Sequence, residues 1–143
     1  MFRTNQTRSI DPTRQPAKIA IVEDHVMFAD LLQHVCEREF GAHVVVRESH
    51  GRPALSAIRA NAPHLVLLDL GLPDVDGLAV AKVVLEERPQ TRILILSALS
   101  DPCTLNRVRN VPVHGFVDKM TQNVEILKSA VDAVLNRGSF LTI

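Results

Sequence analysis

Three acidic residues stand directly behind two short apolar runs. Glu23 and Asp24 follow residues 19–22 (IAIV), and Asp69 follows residues 65–68 (LVLL). If these runs form neighbouring parallel strands, the three carboxylates meet at one edge of a sheet. Two such charges about 4 Å apart repel by roughly 4 kcal/mol at an effective dielectric constant near 20. The cluster is therefore stable only when it is protonated, paired with basic groups or filled by a cation. Charged oxygen ligands suit a hard ion such as Mg²⁺.

A hydroxyl and an ammonium group occupy similar places after two further runs. Ser97 follows residues 93–96 (ILIL), and Lys119 stands close behind residues 115–117 (GFV). A hydroxyl can donate a hydrogen bond to a phosphoryl oxygen, and an ammonium group can neutralise its charge. Phosphoryl transfer depends mainly on positioning and charge compensation, and a carboxylate can be the nucleophile. Together with the acids, these residues predict a site that forms an aspartyl phosphate on Asp69.

Each of these residues also has a simpler explanation. Acids that follow a strand can begin a helix, where they interact favourably with the helix dipole. Asp69 could cap a turn, Ser97 could be a turn residue, and Lys119 could be a solvated charge. The placement of all of them at successive strand ends favours one shared site over these separate roles.

The elements that must position these residues can be read from the apolar pattern. Five runs show no alternation of polar and apolar residues: 19–22, 44–46, 65–68, 93–96 and 115–117. Such runs are typical of strands buried on both faces, as in a parallel sheet covered by helices. Segments with helical spacing follow them, and the fourth, which starts at Asp101 and Pro102, has only Leu105 and Val108 as apolar anchors. The pattern predicts a doubly wound α/β fold with strand order 2-1-3-4-5, in which ligands bind at the carboxyl ends of the strands.

The composition limits the class of protein. The chain has 143 residues, enough for one domain, and its formal net charge is zero, which argues against a dedicated nucleic-acid or membrane-surface protein. No apolar stretch is long enough to span a membrane, and residues 1–17 lack the apolar region of a signal peptide. We therefore expect a flexible N-terminal tail at 1–17 and a cytoplasmic protein. Cys36 lies on an apolar helical stripe and Cys103 near a helix start, and we interpret both as reduced thiols.

At these motifs the sequence resembles the receiver domains of two-component response regulators. The similar segments, in chain order, are IAIVEDH at 19–25, LVLLDLGLPDVDG at 65–77, ILILSA at 93–98 and GFVDK at 115–119. The acidic pair before His25 and the ending GFVDKM are most similar to the NarL/FixJ branch. The resemblance implies a flavodoxin-like (βα)5 receiver domain at residues 18–138. Such a domain is a signalling phosphoacceptor that catalyses only its own phosphorylation and dephosphorylation.

The resemblance also implies roles at the acidic site. Asp69 would accept a phosphoryl group from a sensor histidine kinase. The metal, Mg²⁺ with Mn²⁺ able to substitute, would be bound by Glu23, Asp24, Asp69 and the backbone carbonyl of Gly71. Lys119 would hold a phosphoryl oxygen.

The resemblance further implies that Ser97, Ala98 and Phe116, on the fourth and fifth strands and directly behind them, form a switch. Ser97 would hold a phosphoryl oxygen, and Ala98 would stay small so that the group fits. Drawing Ser97 inward would open space for the Phe116 ring and shift helix 4 with strand 5. The surface formed by helix 4, strand 5 and helix 5 would then favour a partner or a homodimer. Two positions depart from the common pattern, since Phe116 replaces a frequent tyrosine and Met120 stands where some branches carry proline.

Relatives in this branch usually continue into a DNA-binding domain. We therefore expect residues 139–143 to begin a linker to a C-terminal effector domain that contacts DNA and controls transcription. A stand-alone receiver that acts through protein contacts is one alternative. A phosphohydrolase with an aspartate nucleophile is another, but it would require a second acid, the general acid, at the position of Gly71. A flavin- or nucleotide-binding module is a third, but no Gly-rich loop follows the first strand and the chain has no Trp or Tyr to stack on a ring.

Overall fold

The computed structural model describes residues 15–98, 101–121 and 123–139, and these ranges contain one parallel sheet of five strands. The strands are Lys18–Val22 (β1), His43–Glu48 (β2), Leu65–Leu68 (β3), Arg92–Ser97 (β4) and Gly115–Asp118 (β5). They lie in the order β2-β1-β3-β4-β5, and every neighbouring pair is parallel. The predicted doubly wound α/β fold and its strand order are confirmed.

Five helices cover the two faces of the sheet. They are Val26–Phe40 (α1), Gly51–Asn61 (α2), Gly77–Glu87 (α3), Pro102–Arg109 (α4) and Val124–Arg137 (α5). The buried side chains of α1 and α5 share one apolar cluster with the sheet, and those of α2, α3 and α4 share the other. Each parallel crossover therefore buries one helical stripe against the sheet, as expected for this architecture.

Burial along the strands follows their place in the sheet. All four residues of β3, in the middle of the sheet, are completely buried. In β2 only Val46 is buried, and the other residues are half-buried or exposed. The prediction that every strand is buried on both faces is therefore wrong for β2. The flanking helices cover the edge strand β2 only in part, whereas residues 115–117 of the other edge strand, β5, are buried.

Side-chain caps set the starts of the helices. The imidazole of His25 accepts a hydrogen bond from the backbone N–H of Phe28, and the carboxylate of Asp76 accepts one from Leu78. The predicted start of α4 is confirmed, because Asp101 accepts hydrogen bonds from Thr104 and Pro102 occupies the first turn. Each cap satisfies backbone N–H groups that have no partner inside the helix.

Helix α4 is short and weakly anchored, as its sequence predicts. Of its residues only Thr104 and Val108 are buried, and Leu105 is partly buried against the same core. An ion pair between Arg107 and Asp76 connects the helix to the segment that follows β3. Few buried apolar contacts make an element inexpensive to displace.

The chain ends lie partly outside the described residues. Of the predicted tail at 1–17, only residues 15–17 are described, and the backbone carbonyl of Ala17 already accepts a hydrogen bond of 2.8 Å from His43 in β2. Of the predicted linker at 139–143, only residue 139 is described. None of the helices in the described ranges combines the length and the apolar character that crossing a membrane requires.

Gly77, the first residue of α3, lies directly against the backbone of Asp69. A Cβ atom at this position would stand 2.4 Å from the carbonyl oxygen of Asp69 and 2.6 Å from the Cα atom of Leu70. Both neighbours are backbone atoms and cannot swing aside. The absence of a side chain at Gly77 thus allows α3 to begin where it holds the end of β3 in place.

We expect Gly77→Ala to lower the free energy of unfolding by about 2 kcal/mol or more, because the added methyl group overpacks a rigid site. Chemical denaturation followed by circular dichroism measures this change. Gly71→Ala is the matched control in the same loop, since its Cβ would meet no atom within 4 Å. Equal stability of the two variants would contradict the packing argument.

The two cysteines should differ sharply in reactivity. Burial raises the pKa of the Cys36 thiol to about 12, whereas Cys103 is exposed on α4. Because the thiolate is the reactive species, iodoacetamide at pH 8 should alkylate Cys103 alone in the folded protein and both cysteines after denaturation. Peptide mass spectrometry locates the adducts, and rapid labelling of Cys36 in the folded chain would contradict the buried placement.

Candidate functional site

The pairing of β1 with β3 brings the acidic residues to one place. Val22 is in register with Leu68, so the two strands end side by side. The backbone N–H of Asp69 then donates a hydrogen bond of 3.0 Å to the carbonyl of Val22, and the N–H of Glu23 donates one of 2.9 Å to Glu48 in β2. The residues behind the strands therefore keep the sheet hydrogen bonding, which fixes their positions.

Glu23, Asp24 and Asp69 form a compact cluster of carboxylates. Each offers one oxygen, and these three oxygens all lie within 4.8 Å of one another. Glu23 and Asp69 are only 4% and 7% exposed, while Asp24 is exposed. An all-oxygen set of full charge, with two buried members and one open side, fits a hard divalent cation that keeps some of its water. The sequence prediction that these three side chains meet agrees with this geometry.

Lys119 supplies positive charge in the cluster, and its nearest partner there is Glu23. Its Nζ atom donates hydrogen bonds of 2.9 and 3.0 Å to the two carboxylate oxygens of Glu23. The distance from Nζ to Oδ2 of Asp69 is 3.7 Å. Lys119 directly follows β5 as the first residue of a 3₁₀ turn, Lys119–Thr121. One ammonium group therefore stands between the two buried acids.

The burial of Glu23 and its charged neighbours determine the direction of its pKa shift. Burial is the strongest influence and raises the pKa of Glu23 above its ordinary value. The hydrogen bond from Lys119 opposes that shift, and the negative charge of Asp69 adds to it. Three carboxylates and a single ammonium group leave an excess of negative charge when all are ionised. A divalent cation would balance this excess.

The loop behind Asp69 orients its side chain. The backbone N–H of Gly71 donates a hydrogen bond of 3.2 Å to Oδ1 of Asp69. Gly71 also pairs with Asp76 in an isolated antiparallel bridge, and the N–H of Gly77 donates to the carbonyl of Leu70. Backbone contacts thus join the two ends of the loop at residues 70–77, next to the carboxylate of Asp69. Its geometry leaves Oδ2 of Asp69 facing Lys119.

The three predicted switch residues occupy different environments. Ser97 ends β4 and is completely buried, and it is paired with Asp118 of β5. Ala98, the next residue, is exposed. Phe116 of β5 is 1% exposed and belongs to the same core cluster as Val108 of α4. In this structure the Phe116 ring lies inside the core.

One neighbour of the site was not identified from the sequence. The ring of Phe28 in α1 lies under the ammonium group of Lys119, with 4.6 Å between Nζ and the ring centroid. The sequence pattern marks Phe28 only as part of the apolar stripe of α1. The signal that could have pointed to it is its place in the first turn of α1, right behind the acidic pair.

Comparison with protein families matches residues 19–131 to the response regulator receiver domain. A curated relative, "Probable transcriptional regulatory protein NarL" from Mycobacterium tuberculosis, is 30% identical over 125 residues, which cover 86% of this chain and 58% of that protein. The chain thus spans little more than half the length of this relative.

Solved structures agree with this match. The signal receiver domain of NarL from Mycobacterium tuberculosis has a TM-score of 0.76 at 27% identity, and the alignment covers 87% of this chain and all of that one. The phosphorylated cyanobacterial phytochrome response regulator RcpA has a TM-score of 0.75 at 26% identity, with 86% of this chain and 96% of that chain covered. The family match, the strand order and the named relatives together lead to one assignment. This chain belongs to the response regulator receiver domain family, in its NarL/FixJ branch.

Proposed function

We propose that Asp69 accepts a phosphoryl group from a sensor histidine kinase in a reaction that requires Mg²⁺. The observation that carries this proposal is the buried carboxylate of Asp69, which lies between two further acids and the ammonium group of Lys119. The similarity to RcpA, a response regulator whose structure is of the phosphorylated form, supports it. The nucleophile is a carboxylate oxygen of Asp69, which forms a bond to phosphorus as the bond to the donor breaks.

Glu23, Asp24, Asp69 and the backbone carbonyl of Gly71 are the proposed metal ligands, and Mn²⁺ is expected to replace Mg²⁺. Such a cation would neutralise part of the phosphoryl charge. Asp24 is the exposed member of the cluster and can reach a partly hydrated ion from the solvent side. Glu23 is held by Lys119 and by the backbone N–H of His25 at 3.1 Å, so its orientation is already fixed.

Lys119 and Ser97 are the proposed partners of the phosphoryl oxygens. The ammonium group of Lys119 has to move little, since Asp69 is 3.7 Å away while Glu23 holds it at 2.9 Å. A bound cation would compensate the charge of Glu23, and the ammonium group of Lys119 would then be able to turn from Glu23 to the phosphoryl group on Asp69. The Ser97 hydroxyl stands at the same edge of the sheet, at the end of β4. The same groups would serve the later hydrolysis of the aspartyl phosphate.

The proposed output is a shift of α4 and β5 that changes the surface formed by α4, β5 and α5. Ser97, Ala98 and Phe116 connect this surface to the site, and a homodimer is the expected product. Curated relatives are transcriptional regulators that are nearly twice as long as the matched region. We therefore propose that residues 18–138 are the receiver part of a cytoplasmic transcription regulator, that residues 139–143 begin the linker, and that DNA is contacted through a C-terminal domain.

The rival phosphohydrolase has less support. Such an enzyme would use Asp69 only as a transient nucleophile and would require an acid two residues later. That position is Gly71, where nothing lies within 4 Å of an added Cβ and no carboxylate can be supplied. A phosphoacceptor is therefore a better match to these residues than a phosphohydrolase.

Acetyl phosphate with Mg²⁺ should add one phosphoryl group to the chain, and Asp69→Asn should abolish the modification because the amide is not a nucleophile. Intact-protein mass spectrometry with and without EDTA measures both effects. Asp74→Asn is the matched control in the same loop, since Asp74 faces the backbone N–H groups of Gly51 and Arg52 instead of the acid cluster. Modification that persists in Asp69→Asn, or that ignores EDTA, would disprove the proposal.

We expect Phe116→Leu to leave phosphorylation of Asp69 intact but to weaken phosphorylation-dependent dimerisation, since leucine fills the core without reproducing the ring. Leucine is preferable to alanine at this buried position because truncation of a buried Phe costs about 3–5 kcal/mol and could unfold the domain. Analytical ultracentrifugation with and without acetyl phosphate gives the readout. Phe40→Leu, against the opposite core, is the control. Unchanged dimerisation in Phe116→Leu would show that the Phe116 ring takes no part in the switch.

A further inference from the structure

The ammonium group of Lys119 lies close to two carboxylates and one aromatic ring. It donates hydrogen bonds to both carboxylate oxygens of Glu23, it approaches Asp69, and it lies over the ring of Phe28 at 4.6 Å from the centroid. Its side chain is only 17% exposed, so much of the water that would surround an ammonium ion has been excluded. The face of an aromatic ring carries partial negative charge and attracts a cation at this distance.

The local structure of α1 fixes the position of that ring. The side chain of His25 caps α1 by accepting a hydrogen bond of 3.3 Å from the N–H of Phe28 itself. Phe28 is half-buried, and the rest of its ring packs against the core cluster shared by α1 and α5. The cap thus fixes the backbone of Phe28, and packing against this cluster restricts rotation of the ring away from Lys119. This arrangement connects the helix behind the acidic pair to the lysine behind β5.

We infer that Phe28 is a positioning residue for Lys119 in the phosphorylation of Asp69, an inference that rests on the function proposed above. The ring stabilises the partly buried ammonium group but offers no oxygen or nitrogen that could hold one of its N–H groups. Lys119 therefore stays at the site while its hydrogen bonds can pass from Glu23 to a phosphoryl oxygen on Asp69. A hydroxyl or carboxylate in place of the ring would compete for that hydrogen bond. Phe28 would act through Lys119, the site residue whose ammonium group lies over its ring.

Site-specific fluorination of the ring tests this inference with little change in its shape. Phenylalanine with one, two or three fluorine atoms is introduced at position 28, because fluorine withdraws charge from the ring face and weakens its attraction for a cation. The rate constant for phosphorylation of the full chain by acetyl phosphate at saturating Mg²⁺ should fall stepwise, by about threefold to tenfold with three fluorine atoms. The same residues at Phe40, which ends α1 and packs against the same cluster, should leave the rate unchanged.

A second measurement reports the geometry itself. Protons on Cε of Lys119 should show an upfield ring-current shift in the NMR spectrum of the chain, and Phe28→Leu should remove it while the fold is retained. A rate that does not change along the series at position 28 would overturn the role of Phe28, and so would an equal fall at position 40. Absence of the ring-current shift would do the same. If the unsubstituted chain is not phosphorylated at all, the proposed function fails first and the role of Phe28 falls with it.

Discussion

The repulsion between the buried carboxylates of Glu23 and Asp69 is the interaction on which the rest of the site depends. Parallel pairing of β1 with β3 leaves both residues at the same edge of the sheet, where both are nearly inaccessible to water. Removing charged groups from water is unfavourable unless they are paired and hydrogen-bonded. Lys119 meets part of this requirement, and backbone N–H groups of His25 and Gly71 meet another part. The remaining negative charge makes the site receptive to a cation.

The same pairing would allow the site to respond to the phosphorylation of Asp69 that we propose. A cation beside Glu23 and a phosphoryl group on Asp69 would both change the balance of charges around Lys119. Because Lys119 lies within reach of both acids, a short movement of its ammonium group would be enough to restore this balance at the site. Both strand ends are held by backbone hydrogen bonds, so the scaffold can stay fixed while the lysine changes partners.

Much of this structure follows from local sequence patterns. The apolar runs predicted the strands, and the rule that ligands bind at the carboxyl ends of parallel strands predicted where Glu23 and Asp69 would meet. The partial exposure of β2 was not predicted, because an edge strand can be as apolar as a central one. The hydrogen bonds of Lys119 to Glu23 and its contact with Phe28 could not be predicted either. They depend on how far α1 and the turn after β5 approach each other, and neither segment carries a local signal for that distance.

The ion pair between Arg107 and Asp76 gives the carboxylate of Asp76 two simultaneous tasks. One of its oxygens caps α3 through Leu78, while the other accepts the guanidinium group of Arg107 from α4. Both side chains of the pair are nearly half exposed, at 49% and 44%, so water and salt weaken their attraction to about 1 kcal/mol or less. Breaking this ion pair therefore costs little more than thermal energy and leaves the cap of α3 intact. The loop that follows Asp69 is thus connected to α4 by a weak ion pair. The same carboxylate of Asp76 can keep its hydrogen bond to the start of α3 when that ion pair breaks.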